Sequence, residues 1–341
     1  MLRIVALFLL SSLPVLSVSC RTQFQPQSIE VTDPGPPERV LPTIRVLDAG
    51  MTPRQPLRYR VAPGQTEVLY LELARAQATR AGGQGAEGGM PPVQIEVKMG
   101  PASMSRQGFI HHPVAITQVR LSEAAERMSP AQREQLEQSL APLLQVEGWS
   151  EMDVQGQIRR GEFKGMESVS PELTAMLGNI RSALLTVPFP DEPLGVRARW
   201  EVERKFQFSG IWIDQVVTYH IKRIHGEEID LQITARQTAN PQQVANGRLE
   251  AYQASILGSA AVRLTHFTAF SEAESTTQMR ISQPAPMGES QLVSVDTRTM
   301  VRLYPAEEGE RPRGPEEEPA DPEDAKVITE PGKQKLKWYT P

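Results

Sequence analysis

The chain has 341 residues, 39% of them apolar and 23% charged, enough to bury one large core or two ordinary ones. Its formal charge of −5 lacks the concentrated basic face that a nucleic-acid binder needs, which argues against that class. A single cysteine excludes a disulfide framework and a cysteine-based zinc site, and 29 prolines against 24 glycines point to Pro-rich connections.

Residues 1–19 have the shape of a secretory signal. Met1 to Arg3 supply a positive start, and Ile4 to Leu10 form an apolar run too short for a membrane span, which takes roughly 20 residues. Two cleavage readings stay open. Ser17-Val18-Ser19 is a small-x-small site for ordinary signal peptidase, which gives a secreted protein. In the other reading Cys20 is diacylated and becomes the first mature residue. The stretch resembles bacterial lipoprotein signals, with Leu16 four residues before the cysteine where three is usual. The sole cysteine stands where lipidation needs one, and a free thiol there has no partner in an oxidising compartment. Cys20 is therefore the expected lipidation site, and the membrane is the expected partner through that anchor.

Residues 20–41 carry Pro26, Pro34, Pro36 and Pro37 with few large apolar side chains and read as an extended tether. The folded body is expected over 42–304. Leu57, Tyr59 and Val61 alternate with Arg58 and Arg60, Pro63-Gly64 makes a turn, and Val68 to Leu73 returns, so 57–73 predicts a hairpin. Gly82 to Gly89 reads as a flexible connection before an alternating strand at Val93, Ile95 and Val97, with another at 114–121. Ser129-Pro130 opens a helix with Gln132 completing a capping box, and its stripe is Leu136, Leu140, Leu143 and Leu144, with Pro142 ending it. Ser170-Pro171 opens a second helix with the stripe Leu173, Leu177, Ile180 and Leu184.

The clearest strands follow. Trp200, Val202, Phe206 and Phe208 share one face, and Trp200, Phe206 and Phe208 are expected to pack with Leu177, Ile180 and Leu184 as one sheet–helix core. Val217, Tyr219 and Ile221 lead through His225-Gly226 to a return at Ile229, Leu231 and Ile233. Strands at 258–270, 275–281 and 291–304 complete the body. The expected fold class is α+β, a large curved antiparallel sheet approaching a half-barrel with two inserted amphipathic helices. Beyond it, 305–341 is acidic and Pro-rich and is expected to be a disordered tail, ending in a basic and aromatic stretch with Lys335, Lys337, Trp338 and Tyr339.

The run Val187-Pro188-Phe189-Pro190-Asp191-Glu192-Pro193-Leu194-Gly195-Val196 followed by Trp200, with Leu57-Arg58-Tyr59 and Ser255-Ile256-Leu257-Gly258-Ser259, resembles an uncharacterised family of bacterial cell-envelope lipoproteins. The resemblance covers most of 57–279 and implies a signal cysteine, a Pro-rich tether, a β-rich body and no known catalytic residue. Arg21 after the cysteine, by resemblance to such lipoproteins, is compatible with outer-membrane sorting.

Catalytic motifs are missing from the sequence. No G-x-S-x-G elbow, H-E-x-x-H, P-loop or dinucleotide fingerprint occurs. Adjacent His111 and His112 point to opposite faces of a strand, His220 and His225 differ in parity, and His266 sits beside Phe267, so no metal set forms. Glu162 and Glu167 flank Lys164 in a pattern typical of a solvated strand. The expectation is a lipid-anchored cell-envelope protein acting as a non-catalytic binding or structural module, without cofactor or metal. It sits at the bacterial outer membrane or in the periplasm, with secretion as the alternative, and binds a protein or hydrophobic-ligand partner. The alternative function is a periplasmic carrier of a hydrophobic ligand on the curved sheet.

Overall fold

The computed structural model describes residues 41–306, apart from 83, 123–124, 126–127, 171–172, 174–185, 209, 245–246 and 285–289. Among the described residues, fourteen strands make one antiparallel sheet: β1 (Thr43–Asp48), β2 (Glu67–Ala81), β3 (Gln84–Met99), β4 (Ser103–Met104), β5 (Ile110–Leu121), β6 (Glu147–Met152), β7 (Ile158–Lys164), β8 (Arg199–Phe208), β9 (Ile211–His225), β10 (Glu228–Ala239), β11 (Gln242–Val244), β12 (Gly247–Arg263), β13 (Ala269–Pro284) and β14 (Ser290–Pro305). The spatial order is β1-β8-β9-β10-β12-β13-β14-β2-β3-β5-β6-β7, with β11 on β12 and β4 on β5.

The class is thus mostly β, and the α+β expectation with two inserted helices is corrected. Helix α1 (Pro130–Leu140) starts as the sequence predicts: the Ser129 side chain accepts from the Gln132 N–H, and the Gln132 side chain accepts from the Ser129 N–H. Pro142 then tightens the chain into a 3₁₀ turn, Ala141–Gln145, with Leu140 and Leu143 buried and Leu144 exposed. Leu177, Ile180 and Leu184 of the second expected helix lie outside the described residues, whereas Leu173 is buried in the core. Strands from β8 round to β6 put side chains into one buried cluster, so the sheet curls about its apolar face, and Leu140, Leu143 and Leu173 help to cover it.

Strict alternation sets that face. In β9, Ile211, Ile213, Gln215, Val217, Tyr219 and Ile221 are all buried, and in β10 so are Ile229, Leu231, Ile233, Ala235 and Gln237. The turn between them places Gly226 at φ +60°. The expected strand 258–270 is split, because the chain leaves β12 at Arg263 and enters β13 at Ala269.

Two further expectations are corrected. Residues 57–61 form no strand with 68–73. Strand β2 pairs with β14 and β3 instead, and Leu57, Tyr59 and Val61 are buried from an extended segment. That segment bridges distant parts of the sheet: the Tyr59 N–H donates to Val154 O after β6 (2.7 Å) and the Arg60 N–H to Leu264 O after β12 (2.6 Å). The glycines at 85–89 belong to β3 itself. At Gly89 a Cβ would lie 2.5 Å from Arg75 O, opposite the irregularity in β2 between Leu73 and Arg75.

A chain of rings fills the curl. Tyr59 meets Phe189 (5.8 Å between centroids), Phe189 meets Trp200 (5.7 Å), and Trp200 stacks on Tyr219 (5.2 Å, 17°). Two polar ends find backbone partners: the Val187 N–H donates to the Tyr59 hydroxyl, and Trp200 Nε1 donates to Pro188 O. Phe206 and Phe208 do not join Trp200. They pack on the same face in a second apolar group with Ile211, Ile213, Leu249 and Tyr252, which corrects the single-core expectation.

Leu231→Ala should lower the unfolding free energy by about 2–5 kcal/mol, since Leu231 is 2% exposed on the concave face. Leu257→Ala, at a position 51% exposed on β12, should change it by less than ~0.5 kcal/mol. Urea unfolding midpoints of the two variants check the assignment of faces.

Candidate functional site

The two apolar groups of the concave face are separated by polar side chains in a single register row. Arg204 lies opposite Gln215, Gln215 opposite Gln237, Gln237 opposite Ala254, Ala254 opposite Thr277, Thr277 opposite Thr297, and Thr297 opposite Gln77. Arg204 Nε donates to Gln215 Oε1, the Tyr252 hydroxyl donates to Gln237 Oε1 (2.9 Å), and Arg75 donates to Gln77 Oε1 (2.6 Å). Gln215 is only 1% exposed, and its Nε2 has no hydrogen-bond partner among the described residues. The row divides Trp200 from Phe206, which is why the concave face carries two apolar groups.

The convex face carries two open hollows. One, of about 450 Å³, runs across β10, β12, β13, β14 and β2 and is lined by Arg80, Gln253, Gln278, Arg280, Ser294 and Asp296, with Arg80 paired to Asp296 at 2.8 Å. The other, of about 270 Å³, lies on β5, β6 and β7. There the register builds a three-by-three grid: Ala115, Glu147 and Lys164 in one row, Pro113, Trp149 and Glu162 in the next, His111, Glu151 and Arg160 in the third. The third row is tied together, with Glu151 bonded to Arg160 (2.9 Å) and 3.6 Å from His111. The His111 ring rests 5.4 Å from the central Trp149 ring, which leaves the hollow over the first two rows.

At the end of the sheet where β2 begins, Glu67 accepts from the Phe267 N–H and from Gln65 Nε2, both at 2.8 Å, and so pins the turn between β12 and β13. Gln65 also donates to Thr265 O (2.9 Å). Burial pushes the Glu67 carboxyl up to about 7, against the pull of its hydrogen bonds. His112 is 3% exposed with its ring 4.5 Å from Phe267, and burial, with His111 beside it, brings it down to about 4. His111 and His112 do point to opposite faces, as strand alternation requires. His225 is exposed at its turn and His266 bonds Thr265. Among the described residues no three His, Cys, Asp or Glu side chains are grouped to hold a metal ion. Cys20 lies outside the described residues, and so does Leu177. Trp149 carries no motif that singles it out in the sequence. Its neighbours come from three separate strands, and only their register brings them together.

No protein-family model matches the chain, and no curated protein matches it. Among solved structures, the crystal structure of Pseudomonas aeruginosa OccK2 (OpdF) aligns at 7% sequence identity over 72% of this chain and 98% of that chain, with a TM-score of 0.13. A likeness at that level carries no argument about fold or function. Among the described residues, no helix is long and apolar enough to cross a membrane.

Glu67 and His112 act on stability in opposite directions. The raised Glu67 value means that its contribution is complete below about 4.5 and lost as pH rises through about 7. The depressed His112 value means that its contribution is present above 6.5 and lost as pH falls through about 4. The two largely offset each other between those limits. Glu67→Gln keeps an acceptor for the Phe267 N–H and removes one side of that balance. The variant should be at least as stable as the parent above pH 7 and should lose stability more steeply on acidification from 6.5. Urea midpoints at pH 7.5, 6 and 5 read this directly, and superimposable profiles would show that the carboxyl is not buried as described.

Proposed function

We propose that the chain is a lipid-anchored protein of the cell envelope that works as a non-catalytic binding module, presenting the convex face of its sheet to a partner. The carrying observation is the contrast between the two faces. The concave face is packed with Tyr59, Phe189, Trp200, Tyr219 and Phe267, each at most 2% exposed, whereas hollows of about 450 and 270 Å³ open on the convex face, lined by charged and polar side chains together with apolar ones such as Met279, Ala115 and Trp149. The sequence supports the anchoring half: a signal-like start over 1–19, the only cysteine at position 20, and a Pro-rich stretch before the body.

The carrier reading keeps one observation in its favour. The row from Arg204 to Gln77 turns hydrogen-bond donors inward, and Gln215 Nε2 is unpartnered there among the described residues. Mass spectrometry of lipid extracts that copurify with the protein separates the two: a stoichiometric hydrophobic ligand favours the carrier, and none favours the module.

Anchoring is tested by Cys20→Ala. The variant should move from the membrane fraction to the soluble exported fraction, because acyl chains, at about 0.8 kcal/mol per buried CH₂, supply the hold on the bilayer. Fractionation with immunodetection reads the outcome. Membrane retention equal to the parent would remove the lipoprotein reading.

A further inference from the structure

The grid around Trp149 is a site in its own right, and its chemistry narrows what fits it. We propose that this hollow binds a saccharide, with the flat face of one sugar ring against the Trp149 indole and its hydroxyls bonded to Glu147, Glu162 and Lys164. The proposal rests on the reading of the convex face as a binding surface and names its ligand class.

Trp149 sits at the centre of the grid and is half-buried, with its ring held from the third row by His111, which Glu151 and Arg160 steady in turn. The platform is therefore oriented before any ligand arrives, which lowers the ordering cost of binding. On the other side Pro113 and Ala115 are short, so the hollow stays open next to the ring. Its volume of about 270 Å³ falls just under the ~300–1,000 Å³ of drug-sized sites, which suits one or two sugar rings.

The rim selects among ligands. Glu147 and Glu162 are exposed carboxylates that only accept hydrogen bonds, and Lys164 is an exposed ammonium that only donates. An organic cation over the indole gains from the carboxylates but meets Lys164. An anion meets two carboxylates. A flat apolar molecule would strip water from three charges with nothing to replace it. A polyol donates to the carboxylates and accepts from the ammonium, while the C–H face of its ring covers the indole. Of these classes it alone uses every group in the grid's first two rows.

The test uses the full chain in a detergent without a sugar headgroup, titrated calorimetrically with cellotetraose, maltotetraose and the tetramer of N-acetylglucosamine. At least one tetrasaccharide should bind. Trp149→Ala should weaken it at least tenfold, and Trp149→Phe, which keeps a ring face, should weaken it less. Unfolding midpoints of the variants confirm that the fold is intact. Where Trp149→Ala does not fold, the double variant Glu162→Ala with Lys164→Ala, at two exposed positions, should show the tenfold loss. The proposal is overturned if none of the three binds, if binding survives in the folded Trp149→Ala protein, or if tetramethylammonium competes with the sugar, which would mark a cation site. Absent sugar binding together with Cys20-dependent membrane retention would sink this inference and leave the anchored-module reading standing.

Discussion

The run of rings from Tyr59 through Phe189 and Trp200 to Tyr219 is the interaction on which the rest of the fold depends. These rings belong to an extended segment, a proline-rich connection and two neighbouring strands, so their contact gathers pieces that the sheet's hydrogen bonds leave apart. Of the polar atoms that go in with them, the Tyr59 hydroxyl and Trp200 Nε1 find backbone partners in 187–188. Where the chain must pass close to this stack, it does so at Gly156. Its φ is +87°, and a Cβ there would lie 2.5 Å from the Tyr59 ring.

The stack also explains why the two faces of the sheet differ in character. Once the aromatic side chains and the extended segment at 57–61 occupy the concavity, the large hydrophobic side chains of β2, β3, β9, β10 and β12 are used in packing against them. The convex face is left with the alternate positions of the same strands, which are mostly charged, amide or hydroxyl, with apolar exceptions such as Trp212, Val216 and Leu257. Cross-strand pairs such as Arg298 with Glu274 and Arg302 with Glu272 show how those positions satisfy one another. Binding chemistry on such a surface depends on what three or four adjacent strands bring side by side.

Strand-level structure was largely legible in the sequence, and cross-strand placement was not. The alternation in Trp200–Phe208 and in the Val217–Ile233 hairpin is strong because each strand has one apolar and one polar face, and β8, β9 and β10 follow it. The capping box at Ser129 is a local device and forms as read. Leu57, Tyr59 and Val61 alternate just as well, yet the segment's backbone bonds, from Tyr59 and Arg60, go to loops, because alternation reports which side chains are buried and not what the backbone pairs with. Glycines at 85–89 read as a connection because propensity disfavours them in strands, whereas close backbone approach at β2 makes Gly89 fit. The grid around Trp149 was illegible for a related reason: Pro113, Trp149 and Glu162 are far apart in sequence, and only the register of β5, β6 and β7 aligns them.

The polar row across the concave face has a consequence for how the strands find their places. From β8 to β2, seven strands each contribute one position at the same height, six of them polar, and apolar side chains flank the row on β8 and β9. Sliding β9 by two residues against β8 would set Gln215 opposite Val202 or Phe206 and strand the Arg204 guanidinium among hydrocarbon. Sliding β10 would pull Gln237 from the Tyr252 hydroxyl. Alternation alone tolerates such two-residue errors, since they keep the same face inward. The row does not tolerate them. It works as an alignment mark, a notch cut at one level through long strands whose apolar pattern would otherwise accept several settings.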